Sequence, residues 1–265
     1  MREITPEELK EIQLQMMDYV DHFCRINDIQ YTLACGTLIG AMRHEGFIPW
    51  DDDIDIHLLR EEYNKFTRLW NEQKESHPYE LVNIESGNNM GYPFGKIHDP
   101  KTVTYVGTFK RTGVFIDVFP MDFVVDEEDF RIRQAKIAKL YRMRDTYIHW
   151  INIRETGAPL LKKLYVYLRK PRISYNQLAI EISNIAQEIK QPTDFVYEMV
   201  CAVTLKHPVP ASAYDEYIDC NFENRKYRII KGYDQYLSIL YGDWRTLPPV
   251  EKRVTHHGFK AYWKD

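Results

Sequence analysis

Four aspartates within six residues are the first feature of this chain that could do chemistry. The run DDDIDI occupies residues 51–56. In an extended strand successive side chains point to opposite faces, so Asp51, Asp53 and Asp55 share one face and the two isoleucines share the other. Carboxylates this close repel one another, and a hard divalent cation such as Mg²⁺ relieves the repulsion. The pattern predicts a half-buried strand with a cation site; the alternative is a solvated turn.

A further aspartate interrupts an apolar strand. Asp117 stands in FIDVF, residues 115–119, with hydrophobic neighbours on both sides. A lone carboxylate in such a strand is rarely buried unless it is paired or bound to a metal. We therefore take Asp117 as the candidate third ligand. An ion pair with a nearby lysine or arginine is the alternative interpretation.

Gly36 and Thr37 lie between a predicted strand and a predicted helix in YTLACGTLIGAMR, residues 31–43. A strand that turns through a glycine into a helix leaves backbone N–H groups pointing outward, which favours anion binding. The Thr37 hydroxyl can donate to a phosphate oxygen. Arg43 and Lys96 are candidate cations for neutralising phosphate charge.

Cysteines and histidines show no metal-binding spacing. The four cysteines are scattered along the chain, so we expect ordinary buried thiols rather than a disulfide framework or a zinc site. Three histidines near the aspartates fall at no recognisable ligand spacing and are expected to be structural. These residues are Cys24, Cys35, Cys201 and Cys220, and His44, His57 and His98.

The composition is that of a globular protein with a substantial core. The 265 residues are 44% hydrophobic and 28% charged. A net charge of -4 argues against broad nucleic-acid binding, which needs a basic footprint. No run reaches the roughly 18 apolar residues of a membrane span, and the charged start MREITPEELKEIQ does not resemble a signal peptide. We expect a cytoplasmic protein.

Hydrophobic periodicity predicts the elements that position these residues. The N-terminal half is mixed and the C-terminal half is mostly helical, which predicts an α+β fold. Capping boxes are predicted at Thr5 with Glu8 and at Ser174 with Gln177. Helices are predicted over 6–27, 38–42, 61–75, 127–153, 174–190, 193–206 and 233–241. Strands are predicted over 31–34, 50–59, 81–84, 101–106 and 113–124.

Residues 160–172, LLKKLYVYLRKPR, form a basic amphipathic segment. One interpretation packs its leucines and tyrosines on the helical part and leaves the cations as a solvated face. The other lays the segment on an anionic membrane surface. The cations are Lys162, Lys163, Arg169, Lys170 and Arg172.

Several motifs together resemble the LicD family of phosphotransferases, relatives of the fukutin-type ribitol-phosphate transferases. The motifs are CGTLIGAMRHEGFIPWDDDIDI, FGKIHDP, GVFIDVFPMD and YGDWRTLPPVEKRVTHH. The resemblance covers about residues 25–125 and 220–257, and no motif places residues 126–215. It implies a nucleotidyltransferase-like core with a mixed sheet over 1–125. A mainly helical part, 126–265, would pack on that core and complete the substrate site.

The resemblance also implies roles for individual residues. Gly36 and Thr37 match the family's small-residue turn, Asp53 and Asp55 match its acidic pair, and Asp117 matches the third ligand. The implied metal is Mg²⁺, with Mn²⁺ as the alternative ion. Asp117 is also the candidate for taking the proton of an attacking hydroxyl. The resemblance fixes no role for Asp51, His256 or His257.

The implied reaction moves a phospho-alcohol from a CDP-activated donor onto a sugar hydroxyl and releases CMP. Phosphocholine is the best-known cargo, with ribitol and glycerol phosphates as alternatives. The acceptor would be a cell-surface glycan precursor on a lipid carrier at the cytoplasmic face of the membrane, and nucleic acid is not an expected partner. A choline ammonium would need aromatic faces, for which Trp50, Tyr92 and Trp244 are candidates.

Two other functions fit parts of the pattern. A metal-dependent glycosyltransferase also uses Asp-x-Asp to hold a nucleotide-sugar diphosphate, although it does not require the small-residue turn or the third acid. A non-catalytic binding protein on the same fold is the second alternative. Every acidic position that the family pattern requires is filled, which favours an enzyme.

Overall fold

The computed structural model describes residues 1–87, 90–106, 109–110, 112–154, 156–201, 207–255 and 258–264. Within these ranges the helices are α1 Pro6–Ile26, α2 Cys35–His44, α3 Arg60–Glu72, α4 Glu127–Arg154, α5 Leu160–Arg169, α6 Tyr175–Ala186 and α7 Tyr233–Tyr241. The strands are β1 Thr32–Leu33, β2 Asp55–Leu59, β3 Glu80–Val82, β4 Gly95–His98, β5 Thr102–Val106, β6 Phe109–Lys110, β7 Phe115–Val124, β8 Phe195–Tyr197, β9 Val209–Pro210, β10 Tyr217–Phe222, β11 Arg225–Ile230 and β12 Lys260–Trp263. The expected mixed α+β fold is confirmed.

The central sheet carries three of the candidate residues. Its strand order is β1-β2-β7-β4-β3, and β8 and β9 extend it from β7. Strands β2 and β7 run parallel with Asp55 beside Asp117, whereas β4 is antiparallel to β7 with Lys96 beside Asp117. Because neighbouring strands lie about 4.8 Å apart and paired residues share a face, this register brings the three side chains together.

Helices α1 and α3 cover one face of this sheet. Ile54, Ile56 and Leu58 are fully buried in a core cluster that includes the apolar sides of both helices. Since side chains alternate along a strand, Asp55 and His57 point to the opposite face. The hydrophobic alternation of β2 therefore directs its polar residues away from the main core.

Most predicted elements are present. Helix α1 begins after Thr5, whose hydroxyl accepts from the N–H of Glu8 in the predicted capping box. Helices α3, α4 and α7 confirm those predicted over 61–75, 127–153 and 233–241. The strand predicted through the aspartates begins only at Asp55.

The helix predicted over 193–206 is wrong in the part that the structure describes. Phe195–Tyr197 form β8, which pairs with the end of β7, while residues 202–206 lie outside the described residues. Strand β4 and the antiparallel hairpin of β10 and β11 were not predicted. Strands this short depend on a partner strand distant in sequence, so local periodicity does not distinguish them from helix or loop.

Helix α5 exposes the apolar side chains of the basic segment. Leu160, Leu161 and Leu168 are 81%, 82% and 73% exposed, whereas Val166 is buried. The interpretation in which the leucines pack on the helical part is therefore wrong. Among the described residues, no helix combines the length and apolar character needed to cross a membrane.

Strands from the C-terminal part join the sheets of the N-terminal part. Strand β8 pairs with β7, and β12 pairs with β5. The remaining C-terminal elements include α4 and α6, which enclose a second apolar cluster with Phe94 and Phe119 of the core. The division into two parts near residue 125 stays a prediction.

Candidate active site

The aspartate run is held by backbone and side-chain bonds on both sides. The Asp51 N–H donates to the carbonyl of Ile48 at 2.9 Å, and the Gln13 amide of α1 donates to the Asp52 carbonyl at 2.9 Å. The Asp117 N–H donates to the carbonyl of Ile54 at 3.0 Å. These bonds join the aspartate run to α1 and to β7. They hold its carboxylates in place although most of the run precedes β2.

The N-terminus of α2 lies beside the aspartates. The Asp55 N–H donates to the Thr37 hydroxyl at 2.9 Å, which ties the first turn of the helix to the start of β2. A Cβ atom added to Gly36 would lie 2.6 Å from a carboxylate oxygen of Asp51. Only glycine therefore allows Asp51 to approach the helix this closely.

A cavity of about 840 Å³ opens at this junction. That volume lies within the range of small-molecule sites. Five candidate residues line the cavity, and so does Asp51. These five are Gly36, Arg43, Asp53, Asp55 and Asp117.

Two candidates lie behind the cavity wall rather than on its surface. Thr37 is only 2% exposed, and its hydroxyl accepts from the Asp55 N–H. It therefore stabilises the turn rather than lining the cavity. Lys96 is 4% exposed and forms an ion pair with Asp117. The lysine also lies 3.4 Å from the ring centroid of Phe115. The ion pair proposed as the alternative for Asp117 is therefore present.

The face that the alternating pattern predicts for the aspartates is present in part. Asp51, Asp53 and Asp55 line the cavity, but Asp51 also lines, with Asp52, a neighbouring groove against the start of α1. One carboxylate oxygen each from Asp51, Asp52 and Asp53 lie within 4.8 Å of one another, so Asp52 is not separated from this acidic cluster. Ile54 is buried on the other side.

The carboxylates create a local excess of negative charge. Burial raises the pKa of Asp55 well above its usual range, and the carboxylates of Asp53 and then Asp117 raise it further. Such a group gains from a cation in the cavity because the cation stabilises its charged form. The oxygen-rich donor set fits a hard divalent ion such as Mg²⁺ or Mn²⁺.

Residues near the C-terminus complete the cavity. Asp243 and Lys252, for which the sequence predicted no role, line it together with Trp244. Arg43 donates to the Trp244 carbonyl at 2.9 Å, and burial, with Arg253 nearby, lowers the pKa of Arg43. The motif YGDWRTLPPVEKRVTHH contains these residues and was the available signal. His256 and His257 of that motif lie outside the described residues.

Two of the three aromatic candidates are in the cavity wall. Trp50 and Trp244 line it, together with Phe119 and Tyr241. Tyr92 instead packs on Phe94 in the second apolar cluster. The tertiary structure thus supplies aromatic faces next to the carboxylates, from residues distant in sequence.

Comparison with known proteins places this site in a family. The family model described as LicD/FKTN/FKRP, nucleotidyltransferase domain, matches residues 28–152. The lipopolysaccharide cholinephosphotransferase LicD of Haemophilus influenzae is 30% identical over 99% of this chain and 99% of its own. An uncharacterized protein of Rickettsia typhi is 38% identical over 48% of this chain and 39% of its own. Because the Haemophilus relative aligns along almost the whole of both proteins, the chain belongs to the LicD family of phosphotransferases.

Proposed function

We propose that this enzyme transfers a phospho-alcohol, with phosphocholine as the first candidate, from a CDP-activated donor to a sugar hydroxyl of a cell-surface glycan precursor. One observation carries the proposal: Asp53, Asp55 and Asp117 face the same cavity as the N-terminus of α2. That arrangement suits a nucleotide diphosphate, which needs cations and amide donors together. The name of the Haemophilus relative supports phosphocholine as cargo and a glycan as acceptor.

A divalent ion, Mg²⁺ or Mn²⁺, would be held by Asp53, Asp55 and Asp117. The raised pKa of Asp55 supports this assignment because the excess negative charge in the cavity is not balanced by Lys96 alone. When bound, the ion would neutralise charge on the donor diphosphate. Asp51 faces the same space.

The chain's own groups would orient the reactants. Backbone N–H groups at Gly36 and Thr37 begin α2 and would bind a phosphate oxygen, with Arg43 as the neighbouring cation. The acceptor oxygen attacks the phosphorus that bears the alcohol, and the bond from that phosphorus to CMP breaks. Asp117 is the group we assign to accept the hydroxyl proton.

Trp50 and Trp244 would contact a choline ammonium through their ring faces. The Arg253 guanidinium lies 5.6 Å from the Trp50 ring centroid. The Trp50 ring therefore makes a cation–π contact within the chain itself. Ribitol and glycerol carry no charge on the alcohol and would gain nothing from these faces. The aromatic wall therefore favours choline among the CDP-alcohols.

A donor panel tests the reaction. The purified enzyme, Mg²⁺ and a sugar acceptor are incubated with CDP-choline, CDP-ribitol, CDP-glycerol or UDP-sugars, and nucleotide release is measured. We expect CMP release that is greatest with CDP-choline and that requires Mg²⁺. Release of UDP instead would establish a glycosyltransferase. Stabilisation by CDP and Mg²⁺ without turnover of any donor would identify a binding protein.

We further propose that α5 binds an anionic membrane surface, where a lipid-linked acceptor would lie. Its exposed apolar residues recur at i, i+4 and i+8, with a second row displaced by one, so they form one face of the helix. The single buried residue, Val166, lies on the opposite side. Lys162, Lys163 and Arg169 lie on the same helix, and Lys170 and Arg172 follow its last residue. The rows are Leu160, Leu164 and Leu168, and Leu161 and Tyr165.

Vesicle co-sedimentation tests this surface. The protein should sediment with anionic vesicles, less so at high salt, because each cation near the surface contributes about 1 kcal/mol. Replacing Lys162, Lys163, Arg169, Lys170 and Arg172 by glutamine should abolish the binding. Equal recovery in the supernatant with and without anionic lipid would contradict the proposal.

A matched control changes the same number of exposed cations elsewhere. The control variant carries Arg68→Gln, Lys74→Gln, Lys226→Gln, Lys231→Gln and Lys260→Gln. Its loss of positive charge equals that of the α5 variant, so it should still sediment if the cations of α5, rather than net charge, are required. Equal loss of binding in both variants would show that net charge alone is responsible.

A further inference from the structure

A cysteine, a histidine and a glutamate meet at the cavity wall, which Cys35 lines, and lie outside the aspartate cluster. The Cys35 sulfur lies 4.0 Å from Nε2 of His57 and 3.9 Å from Oε2 of Glu198. Nε2 of His57 lies 2.8 Å from the same glutamate oxygen. The three residues come from the start of α2, from β2 and from the segment after β8, so only the fold brings them together.

The surroundings of this cluster are buried and polar. His57 is 1% exposed and Glu198 is 9% exposed. Nδ1 of His57 lies 3.3 Å from the Tyr214 hydroxyl, which fixes the ring with Nε2 toward the sulfur. The Tyr236 hydroxyl lies 3.7 Å from the Cys35 sulfur.

We propose that Cys35, His57 and Glu198 form a second cation site, for a thiophilic divalent ion of the zinc class. With bonds of about 2.3 Å to sulfur and about 2.0 Å to nitrogen or oxygen, tetrahedral ligand atoms lie about 3.3 to 3.6 Å apart. The three separations in the cluster differ from these values by about half an ångström or less. The Tyr214 contact supplies the outer partner that a metal-binding histidine requires.

The donor set distinguishes this site from the aspartate site. Thiolate and imidazole prefer zinc-class ions, whereas the carboxylates of the aspartate site prefer Mg²⁺ or Mn²⁺. Metal binding would release the proton of the Cys35 thiol to the solvent.

The proposed ion would join three segments that carry or support the active site. Cys35 begins α2 with a positive φ of 47°, a conformation that is uncommon outside glycine. His57 lies two residues beyond Asp55 on β2. Bonds from Cys35 and His57 to the same ion would fix the start of α2 against β2, in addition to the hydrogen bond between Thr37 and Asp55.

Cobalt substitution tests the site. The full-length protein, treated with chelator and then titrated with Co²⁺ in excess Mg²⁺, should develop a thiolate-to-cobalt charge-transfer band that saturates at one ion per chain. Cys35→Ser should abolish the band, and Glu198→Gln should weaken Co²⁺ binding by at least about tenfold. Cys220→Ser, a half-buried thiol on the β10 hairpin, is the matched control and should keep the band.

Two results would overturn the proposal: a wild-type protein that develops no band, or a band that persists in Cys35→Ser. Should Cys35→Ser fail to fold, as judged by circular dichroism, His57→Gln provides the same test. Asp53→Asn should retain the band while it loses turnover. The zinc-class site and the proposed phosphotransfer therefore succeed or fail in separate measurements.

Discussion

Asp53→Asn and Asp55→Asn should each lower turnover by at least about 10²-fold while the fold is kept, because each removes a charged ligand without changing side-chain shape. CMP release from the preferred donor measures the loss, and circular dichroism verifies the fold. Both carboxylates line the cavity. Near wild-type rates in either variant with Mg²⁺ present would show that the metal assignment is wrong.

Asp55→Asn should also change the folding stability. A carboxyl whose pKa is raised on folding binds its proton more tightly in the folded chain, so folding stability falls as pH rises from about 3.9 toward the raised value. Asp55→Asn removes this cost, and we expect its Tm at pH 7 without divalent ions to equal or exceed that of the wild type. Mg²⁺ should raise the Tm of the wild type and not that of the variant.

Asp28→Asn is the matched control for both measurements. Asp28 is exposed and lies outside the cavity wall. Its turnover and its Mg²⁺-dependent increase in Tm should remain. Equal losses at Asp28 and Asp53 would mean that total negative charge, rather than a ligand in the cavity, determines activity.

In variants of the buried pair Lys96 and Asp117, folding stability and turnover should change independently of each other. Lys96→Met leaves Asp117 without its cation, and Asp117→Asn leaves Lys96 without its anion, so each should cost about 3–5 kcal/mol of folding free energy. The double variant should recover most of that stability because no uncompensated charge is left. Chemical denaturation measures the free energies, and CMP release measures turnover.

Turnover distinguishes a functional pair from a structural one. If Asp117 contacts the ion and the acceptor, the double variant stays inactive although it is stable. Recovery of turnover together with stability would leave Asp117 as a structural residue only. The control pair is Arg60 with Asp122, also buried and 2.6 Å apart, but outside the cavity wall. Its double variant, Arg60→Met with Asp122→Asn, should keep turnover.

The aspartate site could be predicted because its signals are local. Alternation along DDDIDI predicted that Asp51, Asp53 and Asp55 share a face, and all three do line the cavity, although an Asp52 oxygen lies within 4.8 Å of oxygens of Asp51 and Asp53. An aspartate inside an apolar strand directed attention to Asp117. Both patterns depend on the direction of successive side chains, which the backbone fixes over a few residues. The parallel register that places Asp55 beside Asp117 could not be predicted in this way.

The errors lie where distant pairing controls local structure. Residues 195–197 form a strand because β7 pairs with them, and their own periodicity does not identify it. One of the two interpretations of α5 packed its leucines on the helical part, yet they are exposed because the helix contacts its surroundings through the other side. Periodicity shows that a helix has an apolar face, and only the packing shows what covers that face.

The chain's periodicity and motifs are sufficient to predict the fold class, the acidic cluster and the family resemblance. They contain nothing that joins Cys35 to His57 and Glu198, because these residues have no ligand spacing and come from three separate elements. The Lys96 ion pair and the C-terminal wall of the cavity are likewise properties of the folded chain. Local sequence directs side chains over one strand or one helical turn, whereas contacts between distant segments depend on how the whole core packs.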